Sequence, residues 1–402
     1  MKVGILTFHS EINYGSVLQA YAMQKVLESL GHESVVIDKW EDPDNRRLLG
    51  PLVNRSPVYW FKFLVRCLLL CCDWRLLIRS FKTMCFIRKN IKRTPYHFYS
   101  WDNAPQNLGV DMITIGSDQV WNPTIVPPPD YLMLNYTTDV SAIAYSASIG
   151  MHSLAPEWLQ AYRDGFARLK AIGVREEEAR VLVEREGFKA EHVIDPTLLV
   201  NRNLAWKRFE KPQTDRRKLF CYFLAEDFDL MRPGLLEFAH RNNADVCFFF
   251  DRPPVMAIPR SVKALIARVK EIAKWHHSRL HGMMCASVSE FLEEISASTW
   301  VVTNSFHALM FSIVFRKNVR IVRPSNVNRQ ASSSRIDEFA GSVIKGNLLF
   351  DSLAGALASV ERGEVVSYDE KLLSEKRNKS LQWLKDAIAE VELNSHEHKT
   401  RN

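Results

Sequence analysis

TWVVTNSFHALMFSIVFR, Thr299–Arg316, is the stretch on which the reading of this chain turns. The apolar run Trp300–Val302 reads as a buried strand, Asn304-Ser305-Phe306-His307 as a polar turn, and the apolar run Ala308–Phe315 as a helix. A strand that stops at a polar turn and feeds a helix puts that turn at the carboxyl end of a parallel sheet, where doubly wound folds bind ligands. The first amides of such a helix are unpaired and carry partial positive charge, so an anion fits there. Ser305 is placed to cap those amides, and His307 to donate to an anion or pass a proton near neutral pH. A capped helix carrying a buried histidine is the plainer reading of the same residues.

The same strand–turn–helix unit recurs on both sides. Lys2–Phe8 reads as a first buried strand, His9–Gly15 (HSEINYG) as its turn, and Ser16–Leu30 as a helix stopped by Gly31; Ser34–Asp38 then completes a βαβ unit. The turn has neither G-x-G-x-x-G nor G-x-x-x-x-G-K-[ST], so it supports neither a dinucleotide fingerprint nor a P-loop. Asn13, Tyr14 and Gly15 still put side-chain donors and a flexible backbone at a helix N-terminus. Val110–Ile115 is a strand ending in Gly116–Pro123 (GSDQVWNP), a turn rich in groups that bond ligands. Asp118 is a candidate to orient or deprotonate a hydroxyl and Trp121 to stack on a sugar face, beside the polar groups of Ser117, Gln119 and Asn122. A turn held by local hydrogen bonds is the competing reading. Ser141–Ser148 is the next strand. Ala171–Val174 ends at Arg175, which either points into a cleft or pairs with its own glutamates.

Asn201–Lys218, charged and carrying Pro212, reads as a linker. The pattern then restarts with strands Leu219–Leu224, Asp245–Phe250 and Asn318–Val322, and with Ser289 capping a helix that ends near Ala297. The polar loop Arg323–Arg335 feeds a helix from about Ile336, and Asp369–Leu393 is an amphipathic helix with a frayed tail, Asn394–Asn402. This divides the chain into an N-terminal α/β domain over 1–205, a second over 216–350, and a C-terminal helix over 366–393.

With 402 residues, 47% apolar and 25% charged, the chain is long enough for two such cores and ordinary for a soluble protein. Its net charge of +7 is concentrated. Val58–Arg93 holds nine basic residues (Lys62, Arg66, Arg75, Arg79, Lys82, Arg88, Lys89, Lys92, Arg93) against one acid, Asp73, so the remainder is close to neutral and gives no sign of nucleic-acid binding. No apolar run there reaches the roughly 18 residues of a spanning helix. Two amphipathic helices broken near Asp73 fit, either as domain helices or lying on an anionic membrane surface through 58–93. Seven cysteines form no paired framework, and no signal peptide is visible, which favours reduced thiols in a cytoplasm. His277, His281 and Cys285 are four apart, but Gly282 weakens a shared helical face and no fourth ligand is evident, so no metal is expected.

Six motifs in one order carry a resemblance: GILTFHSEINYGSVLQAYAMQKVL (Gly4–Leu27), DMITIGSDQVWNP (Asp111–Pro123), YSASIG (Tyr145–Gly150), VREEE (Val174–Glu178), VIDPTLL (Val193–Leu199) and VTNSFHALMFSIVF (Val302–Phe315). Together, from residue 3 to about 345, the chain resembles the polysaccharide pyruvyl transferase family. The resemblance implies a GT-B-like α/β fold, two Rossmann-like domains facing each other across a cleft, with a C-terminal helix returning to the first. It also implies transfer of the enolpyruvyl unit of phosphoenolpyruvate onto two hydroxyls of one sugar in a surface or exopolysaccharide precursor, leaving a cyclic ketal and phosphate. The expected partners are phosphoenolpyruvate, a donor substrate rather than a cofactor, and a sugar acceptor, free or lipid-linked. The expected place is the cytoplasm, at or near the inner face of the membrane. Holding a small dianion calls for two cations. Arg175 and Arg335 are the candidates, one from each half, with Arg329 as a substitute for the second. His307 is the expected proton donor or phosphate partner and Asp118 the base, with the amides opening the Ser305–His307 helix completing the anion site. The family commonly carries Asp-Ser-Phe-His-Gly where this chain has Asn304-Ser305-Phe306-His307-Ala308. The first exchange removes a charge expected to orient the histidine; the second closes the helix start. A GT-B glycosyltransferase using a nucleotide-sugar, and a non-catalytic glycan- or lipid-carrier-binding protein, are the alternatives.

Overall fold

The computed structural model describes residues 1–9, 13–40, 74–126, 140–213, 215–224, 228–250, 276–277, 279–324 and 334–401. Strands β1 (Lys2–Leu6), β2 (Glu33–Val36), β3 (Met112–Ile115), β4 (Ser141–Ala147), β5 (Leu169–Val174) and β6 (Glu191–His192) form one parallel sheet in the order β2-β1-β3-β4-β5-β6. The second sheet is built from β7 (Lys218–Phe223), β8 (Asp245–Phe250), β9 (His276–His277), β10 (Leu280–Met283), β11 (Trp300–Thr303), β12 (Asn318–Val322) and β14 (Leu349–Phe350). Its order is β14-β12-β11-β7-β8-β10-β9, and among the described residues only the edge pair β9–β10 runs antiparallel. A small ladder pairs β13 (Ile344–Lys345) with β15 (Ser367–Tyr368). The central strands are buried on both faces, as apolar runs such as Trp300–Thr303 demand of a sheet with helices on either side. His277 and His281 therefore lie on neighbouring strands, where β pairing replaces the shared helical face considered from their spacing.

The amide-presenting helix α1 (Tyr14–Ser29) begins two residues earlier than periodicity places it, because Asn13 caps it by accepting from the Gly15 amide. Likewise Ser287, not Ser289, caps the helix Val288–Ala297, through a reciprocal capping box with Glu290. The last helix runs from Glu370 through Arg401, so the tail read as frayed continues it. This helix returns to the first domain: the Ser380 hydroxyl accepts from the Ile194 amide at 3.0 Å, Arg377 donates to the Leu198 carbonyl at 2.9 Å, and Trp383 covers Gly173.

One apolar core joins the domains, with Val17 and Tyr21 of α1 in the same cluster as Phe291 and Phe311 of the second half. The described half of the basic segment is α2 (Trp74–Asn90); Arg79 and Lys82 turn toward the second domain, while Arg88 and Lys89 are exposed. Arg79 is fully buried, donating to the Phe250 carbonyl at 2.6 Å with its guanidinium 4.3 Å over the Tyr14 ring. Lys82 meets Glu290 at 2.9 Å. A buried guanidinium is tolerated only with such partners, so Arg79 ties the halves together and is not available to lipid. Lys62 and Arg66, and the side chain of Arg75, lie outside the described residues. Among the described residues no helix is long and apolar enough to cross a membrane.

Candidate active site

The carboxyl ends of the two sheets meet at the polar turns singled out in the sequence. From the second domain, β11 ends at Thr303 and the helix Phe306–Val314 starts with Ser305 as its cap, the hydroxyl facing the Ala308 amide at 3.5 Å. His307 thus lies in the first helical turn, 8% exposed. Its ring lies directly against Gly15 of α1: a Cβ on Gly15 would stand 2.1 Å from His307 Nδ1. The glycine read as a flexible helix start is the seat of the imidazole.

From the first domain, three turns supply a buried charged cluster. Asp118, after β3, sits in the left-handed region at φ 72°, a conformation that aspartate tolerates better than most residues and that tends to persist where function requires it. Its carboxylate accepts from the Ser16 hydroxyl at 2.7 Å and from the Gln119 amide at 2.8 Å. Arg175, after β5, lies 3.8 Å from Asp118 and 3.3 Å from Asp195, with its guanidinium 4.5 Å over the Phe306 ring of the opposite domain. Asp195, after β6, also accepts from the Ser117 hydroxyl at 2.8 Å and stands 3.8 Å from His307 Nε2. Burial by itself raises the pKa of Asp118, but the His307 and Arg175 charges, the Ser16 hydroxyl and the Gln119 amide hold it below the ordinary aspartate value. Asp195 behaves the same way, burial being outweighed by His307, Arg175 and Thr197. Both bind fewer protons folded than unfolded. Their stabilisation is complete above the ordinary aspartate pKa of about 3.9 and is lost as pH falls through the depressed values.

His307, Asp118, Arg175, Ser117 and Gly15 are therefore brought together, while other expected ligand groups serve the framework. Tyr14 is fully buried between the domains, stacked on Phe291 at 4.5 Å and donating to the Ala286 carbonyl, because an aromatic at the first helical position faces the neighbouring sheet. Trp121 is no sugar platform: it is 1% exposed, packs on Phe166, and its carbonyl accepts from the Tyr162 hydroxyl. Asn122 spends its amide on Gln119 and its oxygen on Thr124, which makes that pair turn-builders. Asn13 is the α1 cap and Ser305 the cap of its own helix. Arg335 falls in the helix Ser334–Val343, but its side chain, like the whole of Arg329, lies outside the described residues.

Asn304 clasps both backbone groups of Leu224 at the end of β7, accepting from the amide at 2.7 Å and donating to the carbonyl at 3.2 Å. An aspartate accepts there but does not donate. The carboxylate found beside the histidine is Asp195, supplied by the other domain. Asn304→Asp is expected to cost about 1–3 kcal/mol by leaving the Leu224 carbonyl without that donor. Thermal unfolding of the variant checks this, and an unchanged midpoint would show the clasp to be idle.

Asp195 and Phe306 escaped the sequence-based choice of site residues. Asp195 stood in the VIDPTLL motif, but its preceding strand is two residues long and gives no periodic signal. Phe306 was placed in the polar turn Asn304–His307 with no role of its own. Gln19 is a further silent contributor: its side chain bonds Thr7, Phe8 and Ser16 and accepts from the Ser117 amide, locking β1, α1 and the β3 turn to one another.

Two facing α/β domains with a site at the carboxyl ends of both sheets, closed by a returning C-terminal helix, define a GT-B-type protein. A model of the polysaccharide pyruvyl transferase family matches residues 13–326, and the chain belongs to that family. Among solved structures it is similar to UDP-GlcNAc 2-epimerase of Methanocaldococcus jannaschii in complex with UDP-GlcNAc and UDP. That likeness has a TM-score of 0.50 and 14% identity, and covers 90% of this chain and 92% of the epimerase. The glycosyltransferase SnogD of Streptomyces nogalater aligns at TM-score 0.41 and 12% identity, over 98% of this chain and 99% of its own. At 14% identity the epimerase likeness speaks for the fold alone. No curated protein matches the chain in sequence.

Proposed function

We propose that this pyruvyl transferase moves the enolpyruvyl unit of phosphoenolpyruvate onto two hydroxyls of one sugar in a polysaccharide precursor. The observation that carries this reading is His307 of one domain set against Gly15 and facing Asp195 of the other, beside Arg175 and Asp118. The methylene carbon of the donor takes a proton, with His307 as the source or as the partner of the phosphate. The adjacent carbon becomes electrophilic and a sugar hydroxyl adds to it, giving up its proton to Asp118. Phosphate then leaves with the C–O electron pair, and the neighbouring hydroxyl closes the ketal, its proton going to the departing phosphate. The net change is donor plus diol to cyclic ketal plus inorganic phosphate. Because its pKa is depressed, Asp118 is ionised at neutral pH and a modest base, suited to accepting the proton late, as the carbon–oxygen bond forms.

The charge of the donor needs more than Arg175, which already faces three carboxylates: Asp118, Glu176 and Asp195. Arg335 is the proposed second cation, with Arg329 as its substitute. Arg335→Lys is expected to raise KM for phosphoenolpyruvate by removing a bidentate contact. An unchanged KM in steady-state assays would assign that arginine elsewhere. The parent experiment is phosphate release from phosphoenolpyruvate with and without a panel of free and lipid-linked sugars. Acceptor-dependent release supports the proposal, while turnover of a nucleotide-sugar in place of phosphoenolpyruvate replaces it. A cytoplasmic location near the inner face of the membrane belongs to the same proposal.

A further inference from the structure

We infer that Asp195 is the positioning residue of this site, the shared counter-ion that aims the His307 imidazolium and the Arg175 guanidinium at one point across the domain boundary. The inference rests on the proposed site and adds to it a residue with a separate job. The two carboxylate oxygens of Asp195 divide their partners. Oδ1 accepts from the Thr197 amide at 2.9 Å and its hydroxyl at 2.7 Å, capping the short turn Pro196–Leu199. Oδ2 accepts from Ser117 at 2.8 Å and Arg175 at 3.3 Å, and faces His307 Nε2 at 3.8 Å. A residue wanted only as a cap needs one oxygen. The partners of the second oxygen come from the ends of β3 and β5 and from the opposing domain, and all belong to the site.

Asp195 is 2% exposed, so water screens this charge little. Its backbone is held from behind as well, since the C-terminal helix anchors the preceding amide, that of Ile194, through Ser380. The charged and titratable groups around the pair are Asp118, Arg175 and Glu176 in the first domain, and the Tyr145 hydroxyl, which burial and then the Asp195 charge push upward. Asp118 also feels the His307 and Arg175 charges, but it stands farther from Arg175, at 3.8 Å against 3.3 Å, and its nearer partners are the Ser16 hydroxyl and the Gln119 amide. Arg175 gains a third constraint from Phe306 beneath it. Removing the Asp195 charge thus takes the nearest counter-charge from one arginine and one histidine together.

Asp195→Asn tests this, since its oxygen still accepts from Thr197 while the charge disappears. The His307 ring is followed through a pH titration by NMR of histidine-labelled protein, assigned with His307→Ala, with Ser117→Ala as a control that leaves the charge in place. His307 in Asp195→Asn is expected to titrate about one unit or more lower than in the parent, and in Ser117→Ala close to the parent. kcat with phosphoenolpyruvate is expected to fall about 10–100-fold, as misplacement of aligned groups does. An unmoved His307 titration in Asp195→Asn overturns the inference and leaves Asp195 a helix cap. Should that variant not fold, the parent decides: His307 must titrate above the ordinary value of about 6.5, and a value at or below it overturns the inference. The titration uses no substrate, so it stands or falls apart from phosphate release.

Discussion

His307→Ala is expected to keep its fold, to melt somewhat below the parent because the buried Asp118 and Asp195 lose a counter-charge, and to lose about 10²–10⁴-fold in kcat, the usual worth of a positioned acid or base. The ring is at the edge of the apolar core, 8% exposed at a helix start, and its loss opens space toward the cleft between domains. The helix keeps its Ser305 cap, so little secondary structure depends on the imidazole. Phosphate release from phosphoenolpyruvate in the presence of an accepted sugar is the measurement. Activity within a few-fold of the parent would remove His307 from the chemistry, whatever its surroundings.

Gly15→Ala is expected to cost almost as much activity without adding any reactive group. A Cβ there would stand 2.1 Å from His307 Nδ1, 2.5 Å from Cγ and 2.9 Å from Cε1, separations that real contacts do not allow. Either the imidazole or the start of α1 must move, and a shift of about 1 Å at a reacting group is worth up to about 10²-fold. Alanine is meanwhile the better helix former by about 1 kcal/mol, so α1 itself is not weakened by the exchange. A variant that melts near the parent temperature yet turns over slowly is the predicted signature. Full activity would mean that the imidazole leaves Gly15 in the working state.

Of these two residues, the sequence placed His307 where the structure has it, at a strand-to-helix turn. An apolar strand, a polar turn and an apolar helix in succession can be read from periodicity, and a histidine in that turn has few structural duties. Gly15 was noticed for the wrong reason, as a flexible backbone, because a close approach between residues 292 positions apart leaves no local trace. Tyr14, Trp121 and Asn122 were misread in the opposite sense. Polar and aromatic groups beside a ligand-binding turn look alike in sequence whether they face the cleft or the core. Only the neighbours they meet, Phe291, Phe166 and Gln119, separate the two cases.

The basic segment teaches the same lesson about charge. Arg79 and Lys82 read as part of a cationic stripe, and the described helix turns both against the second domain, one onto the Phe250 carbonyl and the other onto Glu290. A count of like charges in a window cannot reveal a carbonyl 171 positions away.

By itself, the sequence determined the alternation of strands and helices, the division into two α/β domains, and the three polar turns at Asp118, Arg175 and His307. Each of these is set by hydrophobic period and turn chemistry, which act over a few residues. The tertiary structure decided which carboxylate faces the histidine, which glycine seats it and which aromatics are core, since those are contacts between distant segments. Such contacts are fixed only when packing two sheets and a returning helix around one shared core leaves a single way for the buried charges to be paired.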